Sequence, residues 1–174
     1  KLKTVAVIGP NADSHMVLEG NYNGISSRYV TFLEGIRKAC EGKARVVFAE
    51  GSHLYKDRVQ NLGEPGDRLA EAQWAAEEAD VAIVCLGLDS TLEGEQGDTG
   101  NEYSSGDKRT LELPDGQKKL LARVVATGKP VVVVLACGSA LRVEDGNAIL
   151  WAGYPGQAGG DAGGHPVRQG VALG

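Results

Sequence analysis

Five short runs of apolar, largely β-branched residues recur along the chain: Thr4–Ile8, Arg45–Phe48, Val81–Leu86, Val131–Leu135 and Ala148–Trp151. Each is nearly continuous in hydrophobicity instead of alternating, which is the pattern of a strand buried on both faces. Helical stretches separate them. Thr31–Cys40 repeats apolar residues at Phe32, Leu33, Ile36 and Ala39; Arg68–Ala79 is rich in Ala and Glu; Gln117–Ala126 carries Leu120, Leu121, Val124 and Val125 on one side. Gly128-Lys129-Pro130 stops the third helix and launches the next strand. Strand–helix alternation with connections of this length predicts an α/β fold: a three-layer sandwich, with a mostly parallel sheet flanked by helices on both faces.

Composition removes several function classes. The 174 residues suit about one domain, and a 42% hydrophobic, 24% charged chain is not a disordered one. With 18 Lys+Arg against 23 Asp+Glu, a net charge of −5 and no basic block, neither nucleic acid nor a membrane surface is a natural partner. No apolar run approaches the roughly 20 residues that span a bilayer. Lys1-Leu2-Lys3 leads straight into the first strand and does not read as a signal peptide. Cys40, Cys85 and Cys137 have no paired spacing and do not read as a disulfide framework or a zinc site; Cys85 and Cys137, each at the end of an apolar run, read as small buried thiols.

Two long connections break the rhythm: Gly9–Val30 and Gly87–Asp115. Both follow the carboxyl end of a strand, the edge where open α/β sheets bind ligands. A third irregular stretch, Gly51–Asp67, reads as a solvated connection. The turn Gly9-Pro10-Asn11-Ala12-Asp13-Ser14 lacks the further glycines of a dinucleotide fingerprint, and no phosphate-cradling loop is present. Ser139 lacks a nucleophile elbow, His15, His53 and His165 are scattered, and metal-ligand spacings are absent, so neither a cofactor nor a metal is implied. The strongest chemical signal is the acidic run Leu88-Asp-Ser-Thr-Leu-Glu-Gly-Glu-Gln-Gly-Asp98, continuing through Glu102 to Asp107-Lys108-Arg109. It is either a solvated loop or the seat of a proton donor whose pKa is raised by like charges or burial. Composition does not choose among Glu93, Glu95, Asp98 and Glu102.

Taken together and in order, a set of strings resembles the C-terminal α/β-sandwich domain of family-3 glycoside hydrolases, of β-xylosidase and β-glucosidase type. They are Lys3-Thr-Val-Ala-Val-Ile-Gly-Pro-Asn-Ala-Asp13, Gly20-Asn-Tyr-Asn-Gly24 with Ser27-Arg-Tyr-Val-Thr31, and Gly87-Leu-Asp-Ser-Thr-Leu-Glu-Gly-Glu95. Asp107-Lys-Arg-Thr-Leu-Glu-Leu-Pro114, Gly128-Lys-Pro-Val-Val-Val-Val134 and Ile149-Leu-Trp-Ala-Gly-Tyr-Pro-Gly-Gln157 complete the set. The resemblance implies a domain over residues 3–160 that contributes the acid/base to a cleft shared with a preceding barrel-like domain. That partner, not contained in this chain, carries an aspartate nucleophile. Retaining hydrolysis needs two carboxyls roughly 5–5.5 Å apart.

By the resemblance the acid/base is Glu95, the second glutamate of Leu-Glu-x-Glu, with Glu93 the runner-up. Extra residues between Glu95 and Asp107, relative to a shorter Glu-x-x-Asp-Arg form, keep Glu102 as a further candidate. Asn21, Tyr22 and Asn23 match a segment on the aglycone side, so Tyr22 and Asn23 are the substrate-binding candidates. Tyr22 is either an apolar platform for a sugar or a half-buried loop tyrosine. Tyr154-Pro155-Gly156-Gln157 reads as a turn supporting the cleft. The implied substrate is a β-linked oligosaccharide or aryl glycoside. From residue 161 the chain departs from the resemblance; Gly163, Gly164, Pro166, Gly170 and Gly174 predict an irregular, poorly ordered tail over 161–174 without the last helix and strand. The competing readings are a non-catalytic carbohydrate-binding or interaction module of the same fold, and a nucleotide-binding α/β domain.

Overall fold

A computed structural model describes residues 2–55, 66–94, 108 and 110–168, with side chains through residue 164. Strands β1 (Thr4–Ile8), β2 (Arg45–Ala49), β3 (Val81–Gly87), β4 (Val131–Ala136) and β5 (Ala148–Trp151) form one sheet in the order β2-β1-β3-β4-β5, every pairing parallel. Helices α1 (Phe32–Cys40), α2 (Asp67–Glu77), α3 (Asp115–Val125) and α4 (Gly159–Arg168) complete it. The three-layer α/β sandwich expected from the sequence is the fold observed.

Side chains alternate along a strand, so a run apolar at every position serves two cores at once. Val5 and Val7 of β1 pack with Phe32, Leu33 and Ile36 of α1 on one face. Ala6 and Ile8 pack on the other with Ala72, Ala75 and Ala76 of α2 and Leu120, Leu121 and Val124 of α3. Every residue of β3 is buried. Local signals start α1: Thr31 caps it, its Oγ1 accepting from Glu34 N–H at 3.2 Å while Glu34 Oε2 accepts from Thr31 N–H at 2.8 Å.

Two sequence expectations are corrected. β5 is not buried on both faces. It closes one edge of the sheet, and Ile149, Leu150 and Trp151 are all exposed. Residues 161–168 are not irregular either: α4 runs through the anticipated boundary at residue 160 to Arg168. Glycine disfavours an isolated helix, but here it lets two helices touch through their backbones. The α-carbons of Gly160 and Gly164 face Thr31 and Gly35 so closely that a Cβ on Gly160 would lie 1.8 Å from Thr31 O, and one on Gly164 2.6 Å from Gly35 O. Arg28 and Lys38 flank the contact with salt bridges to Asp161 at 3.2 and 3.0 Å.

The order β2-β1-β3 positions the site. The chain leaves β1 toward one side of the sheet and β3 toward the other, opening a crevice beyond their carboxyl ends. Asn11, 1% exposed, spans that crevice, its Nδ2 donating to Leu88 O at 3.2 Å. Gly87 ends β3 at φ +133°, where a Cβ would fall 1.9 Å from Ala136 O; only glycine suits that turn. The fully buried Gln117 of α3 holds it: Oε1 accepts from Gly87 N–H at 2.8 Å, and Nε2 donates to Gly87 O at 2.7 Å and Leu54 O at 2.6 Å.

Candidate functional site

Beyond Gly87 the chain folds back on itself in a tight turn. Asp89, 7% exposed, accepts Thr91 N–H at 2.9 Å and Thr91 Oγ1–H at 2.6 Å on Oδ1. Its carbonyl accepts the N–H groups of Leu92 and Glu93, both at 3.0 Å. Leu92 is buried beneath the turn, and Glu93 is aimed across the sheet edge toward the connection after β4.

There, among the described residues, the Glu93 carboxylate meets only donors. Oε2 accepts Gly138 N–H at 2.7 Å and the Tyr154 hydroxyl; Oε1 accepts Ser139 N–H at 3.0 Å and the Ser139 hydroxyl. The Glu93 carbonyl accepts Asn21 Nδ2–H at 2.8 Å. The connections after β1, β3, β4 and β5 therefore meet on one residue. The Tyr154 ring fits between two glycines, since a Cβ on Gly20 or on Gly138 would come within 3.0 Å of it.

Electrostatics follows from this geometry. Burial by itself raises the Glu93 carboxyl, but the Ser139 and Tyr154 hydroxyls and the Gly138 and Ser139 amides outweigh it and hold the group below its ordinary value. Burial, and then the Glu93 carboxylate, push the Tyr154 phenol up, so it remains a donor. Glu93 is thus an ionised acceptor. A carboxyl depressed by folding lends stability above its unfolded pKa and loses it as pH falls through the folded one. Acid titration followed by tyrosine near-ultraviolet signal is expected to show a transition below the ordinary glutamate range of about 4. Tyr154→Phe, monitored by tryptophan fluorescence, is expected to move that transition upward; an unmoved midpoint would mean that Tyr154 does not hold the carboxylate.

The other sequence candidates fall as follows. Tyr22 is 88% exposed in this chain, its ring presented to solvent on a strained turn at φ 61°. Asn23 Nδ2 donates within its own loop, to Glu19 Oε2 at 2.7 Å and Gly24 O at 3.1 Å. Glu95, Asp98 and Glu102 lie outside the described residues, as does most of the irregular stretch after Leu54. Lys108, at the far end of the acidic insertion, donates to Ala140 O. In the sequence Tyr154 reads only as part of a supporting turn, and Ser139 lacks a nucleophile elbow. The one available signal was the pair of small residues, Gly20 and Gly138, that admit an aromatic ring. Among the described residues no three His, Cys, Asp or Glu side chains gather to hold a metal ion.

Residues 1–165 match the profile described as "Glycosyl hydrolase family 3 C-terminal domain". Over 167 residues the chain is 38% identical to Beta-D-xylosidase 1 of Arabidopsis thaliana, covering 92% of this chain and 19% of that protein. It is 30% identical over 181 residues to the Periplasmic beta-glucosidase of Salmonella typhimurium, covering 93% and 22%. Among solved structures, a β-glucosidase from Erythrobacter marinus superposes with a TM-score of 0.78 at 29% identity, over 98% of this chain and 25% of that one. A GH3 exo-β-xylosidase, XlnD, solved with a xylobiose aziridine probe, superposes with a TM-score of 0.76 at 29% identity, over 97% and 20%. The chain spans about a fifth of the length of these curated relatives.

Proposed function

The chain belongs to the C-terminal domain family of glycosyl hydrolase family 3, and on that premise we propose that it is the acid/base-bearing domain of a retaining β-glycosidase. The observation that carries this reading is the meeting of four strand-end connections on Glu93. It anchors an acidic loop at the ligand-binding edge of the sheet. Glu95, two residues on, is assigned as general acid and base. In the first step it protonates the glycosidic oxygen while an aspartate of a preceding barrel domain attacks the anomeric carbon; in the second it takes a proton from the water that releases the sugar. Tyr22 and Asn23 are assigned to substrate contact on the aglycone side, Tyr22 as a platform for an apolar sugar face. The substrate class is a β-linked xyloside or glucoside, in keeping with relatives named β-xylosidase and β-glucosidase.

Because the two carboxyls belong to different domains, activity requires both. The gene product containing an upstream barrel domain is expected to hydrolyse aryl β-xyloside or β-glucoside, and proton NMR of the first-formed sugar should show the β anomer. The 174-residue chain alone is expected to be inactive at equal molarity. An α first product would overturn the retaining assignment, and full activity from the isolated chain would overturn the two-domain reading.

A further inference from the structure

The Glu93 carboxylate is saturated. An ionised carboxyl offers about four acceptor positions, and four donors occupy them: Ser139 N–H and Oγ–H on Oε1, Gly138 N–H and Tyr154 O–H on Oε2. No position is left for a leaving-group oxygen, and a proton placed on either oxygen would evict a donor already there. The backbone is fixed as well, through Asp89 O and the Asn21 amide. At the other end of the acidic insertion, Lys108 binds Ala140 O. Glu93 and Lys108 therefore both bind one three-residue stretch, Gly138-Ser139-Ala140.

We infer that Glu93 is a positioning residue: its clamp on the β4 connection fixes the chain two residues before the proton donor at Glu95. The inference rests on the glycosidase reading. Its physical basis is chain length: two residues span at most about 7 Å, so the proton donor stays covalently within that reach of a fixed Glu93. Glutamine is not an adequate substitute, because its NH2 would face two donors where an oxygen now accepts them.

The test uses the full-length enzyme, comparing an alkyl β-glycoside, whose leaving group needs protonation, with a 2,4-dinitrophenyl β-glycoside, whose leaving group does not. Sodium azide is the probe. It attacks the anomeric carbon of the glycosyl-enzyme, displacing the nucleophile's carboxylate, and needs no general base, so it rescues variants that lack the acid/base. Glu93→Gln is expected to lower kcat/KM about 10- to 100-fold on the alkyl glycoside and no more than about threefold on the dinitrophenyl glycoside, the scale of a misplaced but intact catalytic group. No glycosyl azide should form. Tyr154→Phe should shift the same ratio in the same direction by less, and it carries the test if Glu93→Gln does not fold. Glu95→Gln should yield the β-glycosyl azide.

Azide product from Glu93→Gln would make Glu93 the acid/base itself and overturn the inference. An unchanged substrate ratio in Glu93→Gln and Tyr154→Phe, with only a lower Tm, would reduce the clamp to a stabilising contact and overturn it too. Failure of Glu95→Gln to give azide product, with equal loss on both substrates, is a separate result. It removes the glycosidase assignment of Glu95, and the positioning role falls with it.

Discussion

In the full-length enzyme, Glu95→Gln is expected to cut kcat/KM on alkyl or disaccharide β-glycosides by about 10²- to 10⁴-fold while leaving that on dinitrophenyl glycosides nearly intact. The range is the usual worth of a positioned acid, about 3–5 kcal/mol of barrier. The asymmetry is the diagnostic part. A dinitrophenolate departs without a proton, so its first step does not register the loss; a sugar alkoxide cannot. On the activated substrate kcat and KM should fall together, because the second step has lost the base that deprotonates water and glycosyl-enzyme accumulates. Equal losses in kcat/KM on both substrates would assign the proton to another group. The saturated carboxylate of Glu93 makes it a poor replacement; Glu102 is then the next variant to measure.

The sandwich was legible because its inner strands are short apolar runs, each serving two cores. The same rule misled at Ala148–Trp151. An edge strand and a central strand are written alike when both are apolar, and only the pairing order leaves Ile149, Leu150 and Trp151 exposed. The acidic loop announced itself as a cluster of carboxyls after β3, but the part played by Glu93 did not. Its donors lie 45, 46 and 61 residues further along the chain, and two of them are backbone amides, which no side-chain motif records. Gln117 was hidden for a similar reason. On a helix face it reads as an ordinary polar residue, whereas all its bonds run to the backbone of Gly87 and Leu54.

The tail was misread because glycine was weighed by helix propensity alone. Gly159, Gly160, Gly163 and Gly164 repeat at a spacing of four, the interval that lines up small residues on one helix face, and α1 presents Gly35 to Gly160 and Gly164. This account makes a prediction whose sign opposes propensity. In an exposed helix Gly→Ala stabilises by up to about 1 kcal/mol. At Gly116 in α3, where a Cβ would meet nothing closer than Ser52 Cβ at 3.7 Å, that gain is expected. At Gly35 a Cβ would sit 1.7 Å from Gly160 O and 2.1 Å from Gly160 C, and backbone cannot swing aside as a side chain can. Gly35→Ala is therefore expected to destabilise by about 2–3 kcal/mol, as overpacked sites do, lowering Tm by roughly 5–10 °C for a domain of this size. Urea melts of the two alanine variants beside the parent check it: opposite shifts in midpoint mean that α4 is docked on α1 through its glycines. A stabilised Gly35→Ala would mean that α4 does not pack there, and that the glycine-rich stretch contributes nothing to the fold.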